Sequence, residues 1–175
     1  MAAAAQIHES LPECRFPIYG AALFDNADAQ RYEAEVRNMA IGLPIDFRGW
    51  VSDVHGALEE LDLLLVPSSG PEATTRVILE AFAAGVPVIA FDTGGIAEVV
   101  RDGVTGILTR SAEEMAREAV ALLAGDPERR IAMARAARAE WERRFTREKF
   151  HDCLLRLIER HHRQPLAAAV ANEIA

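Results

Sequence analysis

Short apolar runs alternate with amphipathic ones along most of the chain, and that alternation predicts strands separated by helices. RFPIYG at 15–20 reads as a first strand, near a sheet edge because Pro17 has no N–H to give to a ladder. Residues 27–41 read as a helix, with Asn26 as its N-cap and Gly42 and Pro44 stopping it. Residues 45–48 give a short strand and 54–60 a short helix. LDLLLV at 61–66 is almost wholly apolar, the composition of a strand buried on both faces. A helix over 74–84 follows, with Val77, Ile78, Ala81 and Phe82 as its buried face, and then a strand over 87–91. A short helix over 96–100, a turn at Asp102-Gly103 and a small strand over 106–109 complete this part. The remainder is helical. SAEE at 111–114 is a capping box opening a helix that ends at Gly125, Asp126-Pro127 caps a second, and Thr146 caps a third that runs to about 162.

Strands alternating with helices make βαβ units, hence an α/β fold with a Rossmann-like parallel sheet. Right-handed crossovers place helices on both faces of such a sheet. Its ligands bind outside the carboxyl ends of the strands, which here selects the loops 20–26, 49–53, 67–74, 92–96 and 109–111. The length of 175 residues suits one domain, taken as 1–163, with 164–175 as a flexible tail.

Composition narrows the classes. A net charge of −8 argues against a nucleic-acid surface, which needs clustered Lys and Arg. Two cysteines, Cys14 and Cys153, make neither a disulfide framework nor a metal motif and point to a reducing, cytoplasmic setting. MAAAAQ lacks the basic and long apolar regions of a signal peptide, and no window approaches the roughly 20 apolar residues of a membrane span. The five histidines have no ligand spacing, and neither a Ser–His–Asp set nor HExxH is present, so no metal is expected.

The chemistry then concentrates at 67–95, PSSGPEATTRVILEAFAAGVPVIAFDTGG. A helix starting after a strand offers unpaired N–H groups and a positive dipole end to an anion. Thr74 and Thr75 add hydroxyls there, fitting a nucleotide phosphate; on these two residues alone, simple capping is the favoured role. Glu72 at the same edge suits the vicinal hydroxyls of a sugar, or else complements the helix dipole. Glu80, eight positions on, has Ala83 and Ala84 as small helical neighbours that leave room for a ligand; the plain alternative is a surface pair with Arg76. Gly94 and Gly95 let a ligand approach the backbone and offer a second phosphate contact, although tight structural turns use such a pair equally often. Trp50 is a strand-end aromatic able to wall a base or sugar, and such residues are more often packing. Glu98 reads as a solvated or packing residue.

These residues together resemble the retaining glycosyltransferases of group 1 (family 4). The match lies in Glu72-x7-Glu80 followed by EAFAAGVPVIAFDTGGIAEVVRDGVTGIL, with FRGWV, LDLLLVPS and the capped helices after 111 in support. That family has two Rossmann-like domains facing each other, the GT-B fold, and the likeness runs to about residue 160, all within the C-terminal domain that binds the nucleotide sugar. The resemblance implies that Glu72 reaches hydroxyls of the donor sugar and acts as the catalytic carboxylate. It implies further that Ala73, Thr74 and Thr75 meet the diphosphate, that Glu80 bonds the ribose hydroxyls, that Trp50 and Val51 line the base, and that Gly20 sits near the diphosphate with Gly94 and Gly95.

Two departures stand out. Many relatives carry Gly-x-Gly after the first acid, where this chain has Ala73-Thr74-Thr75, which shifts the phosphate contact toward hydroxyls. The family domain also opens with a strand and a Gly-Arg…Lys-Gly loop, whereas this chain starts in the helix that follows, near residues 2–10. The resemblance therefore implies a donor-binding fragment of a hexosyltransferase, inactive alone, that takes a UDP-, GDP- or ADP-sugar and uses no other cofactor. Its partners would be the N-terminal acceptor domain and, through the open sheet edge or the helix over 146–162, a second copy. Two further readings stay open: a sugar-nucleotide epimerase or phosphorylase of the same architecture, and a non-catalytic module that binds nucleotide or a partner.

Overall fold

A computed structural model of the chain describes residues 1–21, 27–68, 70 and 75–163. In chain order the elements are α1 (Ala2–Ser10), β1 (Phe16–Tyr19), α2 (Ala27–Met39), β2 (Ile45–Gly49), α3 (Val54–Glu59) and β3 (Leu64–Val66). They continue with α4 (Arg76–Ala84), β4 (Val88–Phe91), α5 (Ile96–Val99), β5 (Ile107–Thr109), α6 (Ala112–Ala124), α7 (Pro127–Arg144) and α8 (Arg147–Arg163). Every strand pair is parallel, as the alternation predicts, but the hydrogen bonds divide into two ladders rather than one sheet. One has two strands in the order β1-β2, the other three in the order β3-β4-β5. The strand within 61–66 is only Leu64–Val66, and it has core on both faces as expected: Val66 and Leu64 pack on one side and Leu65 on the other. Leu64 and Leu65 are half-buried, and the outer edge has no ladder partner among the described residues.

The three-stranded ladder is the centre of the molecule. Val88, Ile89 and Ala90 of β4 are fully buried, and their alternation divides the core between two faces, as the period of a strand requires. On one face Val66, Val88 and Ala90 meet Ile78, Ala81 and Phe82 of α4, Ile96 and Val99 of α5 and Ala137 of α7. On the other face Ile89 and Ile107 meet Ala3 and Ile7 of α1 and Met115, Ala119 and Leu122 of α6. Each such large side chain contributes about 1.5–3 kcal/mol by leaving water. Phe16 and Leu65 flank this second cluster, so β1 and β3 border the same apolar layer without bonding to each other.

Local signals set the ends of the helices. Ser111 Oγ accepts from Glu114 N at 3.1 Å, and Glu114 answers by accepting from Arg110 N at 2.7 Å, one residue upstream of the usual capping-box partner. Asp126 accepts from Glu128 N at 3.0 Å ahead of Pro127, and Thr146 from Lys149 N at 3.3 Å. α4 ends in a Schellman motif: Gly85 is left-handed (φ 71°), with Val86 N on Ala81 O at 2.9 Å and Gly85 N on Phe82 O at 3.1 Å. At Gly106 a Cβ would lie 2.9 Å from the Val88 carbonyl oxygen and 2.9 Å from a Val100 methyl, so no side chain fits where the chain enters β5.

Two helices lie outside this core. α2 has no buried residue. α8 presents Phe150, Leu154, Leu155 and Ile158 to solvent, an apolar face without a cover among the described residues. No helix among the described residues is long and apolar enough to cross a membrane.

Candidate functional site

The carboxyl ends of the strands carry the candidate residues. β1 ends at Tyr19; the next residue, Gly20, has a φ of 134° that only glycine adopts readily, and its N–H donates to Gly49 O at 2.8 Å. That bond joins the ends of β1 and β2 and leaves Trp50 just beyond. Trp50 is 65% exposed, so it is not the packing residue that such tryptophans usually are; its ring is a free aromatic face at the strand end. Val51 beside it is half-buried.

α4 begins beyond the carboxyl end of β3. Thr75 occupies its N-cap position with extended backbone, its carbonyl accepts from Ile78 N at 3.0 Å, and its side chain makes no capping bond. The capping role favoured for this hydroxyl is therefore not the one it plays. Glu72, Ala73 and Thr74 lie outside the described residues, as does Asn26, the expected cap of α2. Glu80 lies one turn into α4, with its side chain 38% exposed and an oxygen 3.8 Å from Arg76. At that distance the contact is a solvated ion pair rather than a hydrogen bond, and such pairs contribute only a few tenths of a kcal/mol. The surface pair is thus present, and it leaves the hydrogen-bonding capacity of the Glu80 carboxylate largely unspent. Ile78, Ala81 and Phe82 turn into the core, as the helical period predicts, and Val77 packs at its margin.

The turn after β4 is tightly held. Asp92 N donates to Thr109 O at 2.8 Å, Thr93 N to Phe91 O at 2.9 Å, and Ile96 N to Thr93 O at 3.2 Å. Gly94 is left-handed (φ 54°), and Gly95 caps α5 through its backbone. Thr93 also reaches across to the β3–α4 connection, where its hydroxyl donates to Gly70 O at 3.1 Å. Arg110, after β5, lies 3.9 Å from Asp92 and is mostly exposed. Arg76 and Arg110 are therefore cations at this edge. Glu98 is exposed, as expected of a solvated residue.

Two features escaped the sequence. Thr93 stood there as one letter of a glycine turn, and only its bond to Gly70 gives it a role. Glu140 of α7, only 5% exposed, collects Arg143 at 2.6 Å, Arg144 at 3.1 Å and Arg101 at 3.9 Å. The hydrogen bonds from Arg143 hold its carboxyl below the usual range; burial opposes this, and Arg144 adds to it. The spacing of three and four residues to Arg143 and Arg144 was a visible signal, but Arg101 was not.

Residues 1–125 match the family described as glycosyl transferases group 1. The GDP-mannose-dependent alpha-(1-6)-phosphatidylinositol dimannoside mannosyltransferase of Mycobacterium tuberculosis is 34% identical over 117 residues, a stretch covering 63% of this chain and 30% of that protein. Among solved structures, Anabaena HepE in complex with UDP-glucose superposes with a TM-score of 0.78 at 25% identity, over 90% of this chain and 44% of that one. The C-terminal domain of a group 1 glycosyl transferase, LpcC of Francisella tularensis, superposes at 0.69 and 22% identity, over 83% of this chain and 77% of that one. The stretch matched is thus 30% of the mannosyltransferase and 44% of the HepE chain, and the fold is that of one half of a GT-B glycosyltransferase.

Proposed function

Since this chain belongs to the group 1 glycosyl transferases, we propose that it is the donor-binding part of an enzyme moving a hexose from a nucleoside-diphosphate sugar to an acceptor hydroxyl with retention. The observation that carries the reading is the half-open carboxylate of Glu80, held one turn into α4 beyond the carboxyl end of β3 and left without a direct hydrogen bond by Arg76. In this reading Glu80 accepts from the ribose hydroxyls, and Glu72 orients the transferred sugar. The stretch Ala73 to Thr75, Gly20 and the Gly94–Gly95 turn face the diphosphate, while Trp50 and Val51 wall the base. UDP-glucose bound to HepE supports a nucleotide sugar as the ligand class. The leaving diphosphate gains negative charge, and fixed N–H groups and cations stabilise it most where water is scarce; Arg76 and Arg110 are the cations this chain offers at that edge.

The acceptor site belongs to a second domain in this proposal, so the 175-residue chain binds donor weakly and turns nothing over. The free cysteines fit a reducing, cytoplasmic setting. Among the described residues, the exposed apolar side chains of α8 and the ladder edges without a partner strand support self-association, which light scattering tests: a monodisperse monomer would remove it. Calorimetric titration with UDP, GDP, ADP and their sugars tests the function itself. Heat with one nucleotide, abolished in Glu80→Ala, is the expected result. No heat from any of them leaves a non-catalytic module.

A further inference from the structure

We propose that the break between the two ladders is a docking site for one further strand, parallel to its neighbours, apolar on both faces and running directly into α1. Backbone topology carries it, independently of the donor-site reading. β2 reaches β3 by a crossover through α3, so the two ladders run the same way. Among the described residues no ladder joins β1 to β3. Yet Phe16 of β1 and Leu65 of β3 pack on one apolar cluster with Ala3 and Ile7 of α1. Cover is thus continuous across the break while hydrogen bonding is not. The backbone groups that face the break follow from those that turn away from it. Phe16 N donates to Pro44 O at 3.1 Å and Gly20 N to Gly49 O at 2.8 Å, so Phe16 and Ile18 serve β2, and Pro17 and Tyr19 face the break. Leu64 N donates to Pro87 O at 2.9 Å, so Leu64 and Val66 serve β4, and Leu65 faces the break. Pro17 brings only a carbonyl; Tyr19 and Leu65 each bring an N–H and a carbonyl.

The hand of the crossovers says which strand belongs there. β3 steps to β4 through α4, and β4 to β5 through α5, with both helices on the face that carries Ile78, Phe82, Ile96 and Val99. Leu58 puts α3, the crossover from β2 to β3, on that face too. Right-handed connections on one face of a parallel sheet all step in one direction, and those on the other face step in the opposite direction. α1 lies on the other face, with α6. A strand that enters β1 through α1 therefore lies on the side of β1 that faces β3, which is the break. Filled, the break turns two ladders into one sheet. The new strand is covered by the α1–α6 layer on one face. On the other lies α3, to whose end the Tyr19 hydroxyl donates, at 3.4 Å from Glu60. Such a strand reads as a continuous apolar run. The stepping direction also reverses here, which is where ligands of open α/β sheets bind. The loop from the new strand to α1 thus opens between Gly20 and the carboxyl end of β3.

The test joins a strand to the full chain ahead of Met1: about five valines and isoleucines, then a loop of about four glycines and serines. A control extension carries a pair of prolines within its strand, which removes ladder donors. Amide hydrogen exchange and thermal unfolding compare both with the parent. The apolar strand is expected to slow exchange at Tyr19 and Leu65 about tenfold or more and to raise Tm by about 2–4 °C, while the proline control does neither. Equal effects from both extensions, unchanged exchange at Tyr19 and Leu65, or slowing along the outer edges of β2 and β5 instead, overturns the docking site. Should the extended chain aggregate, the parent alone decides. Exchange at Tyr19 and Leu65 faster than at Ile18 and Val66, which are bonded within their ladders, supports the open break. Exchange as slow as theirs overturns it, and does so equally where light scattering shows a second copy filling the break.

Discussion

The two ladders share a direction and differ in nearly everything else. β3-β4-β5 is sandwiched between α4, α5 and α7 on one face and α1 and α6 on the other, and Val88, Ile89 and Ala90 of its middle strand have no exposure. β1-β2 has no buried strand residue, and α2, the helix between those strands, has none either. Strand pairing alone is thus not what makes the β3-β4-β5 ladder the core. Two covered faces are, because burial of apolar area outweighs the small net gain of each hydrogen bond. The candidate residues divide along the same line. Glu80, Thr93, Gly94 and Gly95 stand on the well-packed side, whereas Gly20, Trp50 and Val51 stand on the lightly packed side.

The largest test of that contrast is truncation inside each half. Phe82→Ala should cost about 3–5 kcal/mol in denaturant unfolding, by transfer and cavity together. Ile18→Ala, at a half-buried position of β1, should cost less than about 1.5 kcal/mol. Equal losses would end the comparison. Next comes Glu140→Gln, expected to cost about 1–3 kcal/mol at neutral pH, where the parent carboxylate is ionised and bonded to Arg143 and Arg144. Because the folded carboxyl titrates below its unfolded value of about 4.3, its contribution is complete above that pH and fades as pH falls further. The difference in Tm between parent and variant should therefore shrink on acidification below about pH 5. A gap that grows there would refute the assignment.

Smaller effects refine the same contrast. Asp126→Ala, which removes the cap of α7 on the packed side, should cost about 1 kcal/mol, or roughly 2–4 °C in Tm for a chain of this size. Glu33→Gln on α2 removes the ion pair with Arg37 and should cost at most a few tenths of a kcal/mol. A larger loss would mean that α2 matters to the fold more than its exposure allows.

What could be read beforehand follows from the range of the forces involved. The caps at Ser111, Asp126 and Thr146 were legible because each is settled within three residues. The buried face of α4 was legible because the period of 3.6 places Ile78, Ala81 and Phe82 together. The two-faced packing of 61–66 was legible from its apolar composition, while the half-burial of Leu64 and Leu65 was not, because composition does not record that β3 lacks a ladder neighbour on one edge among the described residues. Trp50 was not legible either: an average over tryptophans predicts packing, and this one faces water. Among the candidate site residues, Glu80 was visible through its spacing from Glu72, but whether its pair with Arg76 would consume it was decided by a distance. The Thr93–Gly70 bond spans 23 residues and has no local signature.

Gly106 finally separates two kinds of requirement. Because any added carbon there collides with the Val88 carbonyl and a Val100 methyl, the architecture refuses a side chain at this position whatever the loops above it bind. A glycine can thus be demanded by a fold while touching no ligand at all.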